Sequence, residues 1–523
     1  MGSVAAPKTF TREQVKKEGN TEDQVLFIID SKVYDVSDFL DAHPGGEAVL
    51  RQVAGTDATD AFYNLHRHEV LTGKYAELAV GTIEGEKPQI VNPGPGELSK
   101  VPYAEPLWLS EPFKNPYYND SHRRLQKAIR KFTDLHVTPE AQAKEKDGTY
   151  ISQELIDLMA KEGVLHMRLG PGKHLQSAPA LLGGAVKPEE FDYFHDLIVG
   201  QEMTRASARG FQDGNMAGMT IGLTAVLNFA NDEAFKKKIS DEVFSGKKKI
   251  CLAITEAFAG SDVAGLRTTA KKTPDGKHYI VNGTKKWITN GVFSDYFVTG
   301  VQTDKGLSVL LIERGEGVET KLIKTSYSTA AGTTYITFDN VKVPAENLLG
   351  KENQGIYVIL SNFNHERWTM CCGTVRYSRM IVEETLKWAH QRLVFGKRLI
   401  DQPVIRLKLA KMIALVEAHQ SWLETITYQM CNMPYSQQSK YLGGPIGLLK
   451  MSCTRMAHEI ADESVQIWGG RGLTQSGMLT LFAERIENFN RGYKFDAILG
   501  GAEEVLGDLG VRQAMKFMPK EKL

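Results

Sequence analysis

Between Glu84 and Pro116 the chain runs EGEKPQIVNPGPGELSKVPYAEPLWLSEPFKNP, with proline at 88, 93, 95, 102, 106, 112 and 116. Each proline fixes φ and removes a backbone donor, so neither a long helix nor an inner strand survives there. The segment is a linker or a wrapping arm, and the chain on either side must fold as separate units. At 523 residues the chain is too long for one ordinary domain. Before the arm, residues 8–84 alternate strand-like runs (VLFIID, KVYDV) with short amphipathic helical runs. After it, 120–247 reads as successive helices. From 249 to about 345 the pattern switches to strands, with turn signals at Asp275-Gly276, Asn282-Gly283 and Asn290-Gly291. Long helical periodicity returns from 352. The expected α+β organisation is a small unit at 1–84, an arm at 85–118, helices at 119–248, a β unit at 249–350 and helices at 351–523.

Acidic and basic residues balance at 63 each, which argues against a nucleic-acid or membrane-surface protein driven by bulk charge. Cysteines at 251, 371, 372, 431 and 453 show no CxxC and no zinc-like spacing, as expected of reduced thiols in an intracellular enzyme. No apolar run reaches the roughly 18 residues of a membrane span. The start, MGSVAAPKTFTREQ, lacks the apolar core of a secretion signal, and Ala6 stands where a myristoylation signal has Ser or Thr. The expected location is cytoplasmic. The closing Glu521-Lys522-Leu523 ends like a peroxisomal address but has Glu where a small residue belongs.

Residues 33–71 read VYDVSDFLDAHPGGEAVLRQVAGTDATDAFYNLHRHEVL. Iron held between two neutral imidazoles needs two histidines facing each other across a haem ring. His43 sits in His-Pro-Gly-Gly, where Pro44 ends the preceding helix and Gly45 and Gly46 let the backbone turn beside a flat macrocycle. Val49, Leu50, Val53, Ala58 and Phe62 can line a pocket. The string over 8–84 closely resembles the cytochrome b5 family. The resemblance implies haem b with His43 as one axial ligand and His66 as the second; His68 is the alternative in His-Arg-His. An iron with both axial positions filled transfers single electrons.

In the β unit, CLAITEAFAGSDVAG (251–265) and NGTKKWITNGVFSDYF (282–297) combine a small-residue loop, hydroxyls at strand ends and an indole as a flat stacking surface. Together they resemble the acyl-CoA dehydrogenase family, with Ala257-Phe258 replacing its small residue and proline. The likeness covers about 115–515 and includes QRLVFGKRLIDQPVIRLKLA (391–410) and QIWGGRGLTQ (466–475). It implies a helical bundle, a β-barrel or sandwich and a C-terminal four-helix bundle, with FAD as cofactor. Thr255, Trp287 and Thr289 would contact the flavin ring and Ser261 would lie near the phosphates. Arg392, Phe395, Gln466, Gly469 and Gly470 would reach FAD across a subunit boundary, which requires a homodimer or homotetramer.

The reaction implied is α,β-desaturation of an acyl-CoA thioester, with a carboxylate taking the α-proton and hydride leaving for flavin N5. Most family members place that carboxylate in a Tyr-Glu-Gly-Thr string. Here the string is AILGGAEEVLG, and Gly500 stands at the place of the Glu. A minority branch resembling long-chain and isovaleryl dehydrogenases carries the base immediately before an Arg on a facing helix. Glu366-Arg367 in SNFNHERWTMCC fits that place, and a glycine at 500 leaves the room it needs. Glu503 and Glu504 are the alternatives. Phe363 and Asn364 fall where the family touches CoA, Arg367 on the CoA or flavin side, and the N–H of Gly500 on the thioester oxygen.

The fusion suggests that flavin electrons drain singly into haem and on to an external acceptor, while reverse flow would need a flavin reductase. Two alternatives remain: a monooxygenase or nitroalkane-oxidase-like enzyme on the same fold, and a non-catalytic redox sensor.

Overall fold

The structure, a computed structural model, describes residues 8–66, 68–72, 75–90, 93–475 and 481–521. The beginning at Met1-Gly2 with Ala6, and the final Lys522-Leu523, lie outside the described residues.

The N-terminal unit is built on four strands, β1 (Lys8–Phe10), β2 (Leu26–Ile29), β3 (Lys32–Asp35) and β4 (Ala79–Ile83), ordered β1-β4-β3-β2. β1 runs parallel to β4 and the other pairs are antiparallel. Asp30 and Ser31 both take positive φ (44° and 67°), the two-residue hairpin geometry whose twist matches the flanking strands. Strand alternation divides the apolar residues between two faces. Leu26, Ile28 and Val33 pack with Phe10, Val15 and Ile83, whereas Phe27, Ile29, Tyr34 and Val36 face the helices Glu47–Arg51 and Thr59–Leu65. The second face holds the haem-type histidines.

The proline-rich segment is an arm whose second half belongs to the larger unit. Ala104 and Trp108 are buried, and the Ala104 and Tyr103 carbonyls accept from Arg376 (3.2 Å) and Arg379 (3.0 Å). Buried Glu105 meets Arg130 at 2.7 Å and Arg376 at 3.1 Å. Proline excludes regular ladders there, and side-chain cations satisfy the carbonyls instead.

The β unit comprises β5 (Ile250–Ala253), β6 (Thr269–Lys272), β7 (His278–Ile288), β8 (Tyr296–Thr303), β9 (Gly306–Glu313), β10 (Val318–Leu322), β11 (Thr334–Pro344) and β12 (Leu348–Leu349). They form one sheet in the order β10-β11-β7-β6-β8-β9-β12, with β5 beside β8. Asp275-Gly276 turns between β6 and β7 as expected. Asn282-Gly283 does not turn: it lies inside β7, where the pairing with β11 slips between Phe338 and Val341. Gly283 approaches Thr268 so closely that a Cβ would meet its Cα at 2.6 Å, so the glycine serves a bulge, not a hairpin.

The C-terminal helices include Phe363–Gln391, Pro403–Asn432, Gly443–Trp468, Leu481–Ile498 and Glu503–Met515. Trp368, Met412, Leu449, Ile460 and Ile486 share their core. Among the described residues no helix is long and apolar enough to cross a membrane.

Candidate functional site

His43 and His66 face one cavity of about 390 Å³ in the N-terminal unit, lined also by Val49, Leu50, Val53, Ala58 and Phe62. At Gly45 a Cβ would come within 2.8 Å of the His43 ring, and Gly46 takes φ +84°, so the two glycines let the chain turn behind the imidazole. Nδ1 of His43 bonds the Gly46 carbonyl (3.1 Å) and Nδ1 of His66 the Phe62 carbonyl (3.3 Å). A proton held on Nδ1 leaves Nε2 as the ligating atom. The ring centroids are 6.1 Å apart. Two imidazoles bonded at about 2 Å on opposite sides of one metal have roughly this separation, so the residues present fit a haem iron. Burial pushes the His66 pKa down and favours its neutral form. His68 is not among the lining residues; its Nδ1 is bonded to the Tyr63 hydroxyl at 2.9 Å.

The larger unit completes this cavity. Arg471 lines it, and Asn64 accepts from Arg392 Nη1 (3.1 Å) and from the Leu393 N–H (2.8 Å). Sequence reasoning missed both contacts, and no local pattern reveals a pair 328 residues apart.

Glu366 lies in the first turn of the helix Phe363–Gln391 and is 8% exposed. Burial pushes its pKa up to about 7, against the opposing charges of Arg367, Lys450 and His365. Gly500, at φ +68°, faces it: a Cβ there would lie 2.9 Å from Met370 Sδ and 3.5 Å from Glu366 Oε1. Arg367 Nε donates to the Gly500 carbonyl at 2.8 Å, and its guanidinium lies over the Phe363 ring. Phe363 and Glu366 border a small apolar slot of about 10 Å³; Glu366 also lines a polar cavity of about 80 Å³. Asn364 lies beside Gly443 and outside both linings. Glu503 is turned to Arg455 at 3.4 Å, and Glu504 is exposed.

The Thr255 carbonyl accepts from the Lys286 N–H (2.9 Å), which sets Thr255 beside Trp287. Trp287 takes φ +66° and is half exposed, with the Lys286 ammonium over its ring at 4.7 Å. Thr289 lines the same polar cavity as Glu366. Behind this group the buried Lys285–Glu256 pair (2.7 Å) pins the loop carrying exposed Ser261; Glu256 also accepts from the Arg267 and Thr268 N–H groups. Hydrogen bonding and charge pairing hold the Glu256 pKa down, and burial pushes Lys285 down to about 8. Phe395 (93% exposed), Gln466, Gly469 and Gly470 lie on the surface, and Arg392 meets Asn64. Among the described residues no hydrogen bond or ring contact joins these five to Thr255, Trp287 or Thr289.

Residues 119–247, 251–341 and 353–515 match the N-terminal, middle and C-terminal domains of the acyl-CoA dehydrogenases. The chain is 39% identical over 444 residues to the acyl-CoA dehydrogenase apdG of Emericella nidulans, covering 82% of this chain and 98% of that protein. This chain belongs to the acyl-CoA dehydrogenase family. Residues 11–84 of this dehydrogenase match the "Cytochrome b5-like Heme/Steroid binding domain". Other relatives are the acyl-CoA dehydrogenase AFT10-1 of Alternaria alternata (36% identical; 81% of this chain, 98% of that one) and the mitochondrial isovaleryl-CoA dehydrogenase of Pongo abelii (28%; 68% and 81%). Among solved structures, an acyl-CoA dehydrogenase from Geobacillus kaustophilus superposes with a TM-score of 0.65 at 25% identity, covering 77% of this chain and 100% of that one. The dehydrogenase family takes FAD, and the cytochrome b5-like domain implies haem.

Proposed function

We propose that this dehydrogenase desaturates an acyl-CoA thioester between its α and β carbons, with Glu366 as the base and a haem held by His43 and His66 receiving the electrons. When bound, FAD supplies the hydride acceptor and haem a one-electron acceptor. Glu366 takes the α-proton onto its carboxylate; the β-carbon gives up hydride, and the C–H electron pair left at the α-carbon becomes the double bond. The α-proton is acidic enough only while the thioester oxygen accepts hydrogen bonds, a role assigned to the N–H of Gly500. Arg367 holds that loop through the Gly500 carbonyl. The observation that carries the reading is a buried carboxyl, raised toward neutral pH, facing a glycine where a second carboxylate is missing.

Arg392, Phe395, Gln466, Gly469 and Gly470 are assigned to the FAD of a second copy, which makes the working unit a homodimer or a homotetramer. The Asn64 clamp supports electron flow through the docked haem domain to an external one-electron acceptor. A reductase-fed monooxygenase has no use for a raised carboxyl at 366. The test is Glu366→Gln: the variant retains FAD, and its flavin bleaching by acyl-CoA under anaerobic conditions slows by about 10³-fold or more. Unchanged bleaching would remove Glu366 from the mechanism.

A further inference from the structure

Among the described residues, the cavity beside Glu366 contains a cation with no ion-pair partner. Arg168 follows the helix Val164–Met167 and is 7% exposed. Among the described residues no carboxylate lies within ion-pair reach of its guanidinium, and its buried Nε has no hydrogen-bond partner. Arg209 and Arg376 also leave Nε unbonded, but the other buried arginines have ion-pair partners: Arg130 has Glu105 and Glu202, Arg376 has Glu105, and Arg209, in the same cavity, has Asp213 (3.0 Å) and Asp496 (2.6 Å). Asp196, whose charge acts most on Arg168, is occupied by His365 at 2.7 Å. Burial pulls the Arg168 pKa down to about 10. Burying a charge without a partner is costly, and such a group persists where a ligand completes it.

We propose that Arg168 binds an oxygen atom on the acyl chain, so that the substrate is an acyl-CoA bearing a keto or hydroxyl oxygen at the γ-carbon or beyond. The β-carbon must carry a hydrogen to release as hydride, which excludes a keto oxygen there, and a hydroxyl there would leave an enol. Arg168 shares its cavity of about 80 Å³ with Glu366, so the oxygen lies only a few bonds from the reacting carbons. A neutral oxygen suits the site better than a carboxylate. The two cations Arg168 and Arg209 already share the cavity with Glu366, Asp213 and Asp496, and a further anion would add repulsion.

This inference rests on Glu366 facing an acyl-CoA, and its test is a binding measurement in which the base plays no part. FAD- and haem-loaded Glu366→Gln enzyme is titrated with acyl-CoAs of one chain length, either plain, γ-keto, γ-hydroxy or ω-carboxy, and the flavin absorbance shift gives Kd. The keto or hydroxy compound is expected to bind about 10–100-fold tighter than the plain one, the range of a hydrogen bond to a charged group. Adding Arg168→Met abolishes that preference, and Arg168→Lys restores part of it. Equal affinity for plain and oxygenated chains overturns the inference while leaving the acyl-CoA reading intact. Tightest binding of the ω-carboxy compound overturns the neutral-oxygen assignment. Equal affinities together with loss of FAD from Arg168→Met would assign the guanidinium to the cofactor instead. If no acyl-CoA binds, the functional reading fails and this inference with it.

Discussion

Glu366 carries charge reluctantly, because among the described residues nothing donates a hydrogen bond to its carboxyl and burial outweighs three nearby cationic groups. The flavin-reduction rate should therefore rise with pH and reach half its maximum near pH 7, measured with one acyl-CoA between pH 5 and 9. The same shift has a stability cost of known sign. Between the ordinary value of 4.5 and about 7, the folded protein holds a proton that the unfolded chain has released. Stability from this group is thus fully present at low pH and declines as pH rises through that window. Glu366→Gln should raise the melting temperature at pH 8 and have little effect at pH 4; the gain is of order 1–3 kcal/mol. Across the gap, Gly500→Ala introduces a Cβ at φ +68° and 2.9 Å from Met370 Sδ. It should cost about 1–2 kcal/mol in urea unfolding and slow flavin reduction, because relieving the strain at φ +68° and the contact with Met370 shifts the Gly500 N–H assigned to the thioester oxygen.

Elements carry the contacts that local pattern does not. The Asp275-Gly276 turn was legible because its chemistry is local, and Asn282-Gly283 was misread because a bulge and a turn use the same residues. Which end of the proline-rich segment is held was not legible, since Arg376 and Arg379, lying some 270 residues away, decide it. At the candidate site, Glu366 and Gly500 were readable as a pair because Gly500 departs from one motif and Glu366-Arg367 fits its alternative. The Asn64 clamp was not, since neither Asn64 nor Arg392 breaks any local rule. That clamp joins the helix Thr59–Leu65 to the end of the helix Phe363–Gln391. Asn64→Ala removes the Oδ1 that accepts both of these bonds and leaves only the Asn64 carbonyl, at 3.4 Å from Arg392. In anaerobic stopped-flow with acyl-CoA, the flavin phase should be unchanged and the haem phase should slow several-fold, as expected for one to two lost hydrogen bonds in a docking equilibrium. An unchanged haem phase would mean that transfer does not pass through this docked arrangement.

At the scale of the whole molecule, the arm decides whether the proposed electron transfer is intramolecular. From Ser99 onward it is fixed to the dehydrogenase body: Ser99 Oγ donates to Glu383 (2.7 Å), and buried Glu105 meets Arg130. The stretch just after β4 is held to the N-terminal unit, Glu86 by Arg12 (2.6 Å) and the Gln89 and Ile90 N–H groups by Asp30 (2.6 and 3.0 Å), which keeps the connection short; this stretch contains the exposed Lys87. Limited digestion with endoproteinase Lys-C, which accepts the Lys87-Pro88 bond that trypsin does not, should cut at exposed Lys87, releasing a haem-bearing fragment from a body that is still reduced by acyl-CoA. A short tether holds the haem domain at an effective concentration in the millimolar range. In the intact chain the haem-reduction rate should be independent of protein concentration. After cleavage, at micromolar protein, it should fall and scale with concentration, because each encounter must then be found by diffusion. The Asn64 hydrogen bonds alone, worth about 1 kcal/mol each, are too weak to hold two separate fragments together at that dilution. A cleaved sample that keeps a concentration-independent haem phase would show a docking surface far stronger than these contacts. Glu366→Gln, cleaved or intact, should leave the haem oxidised, since no electrons then enter through the flavin.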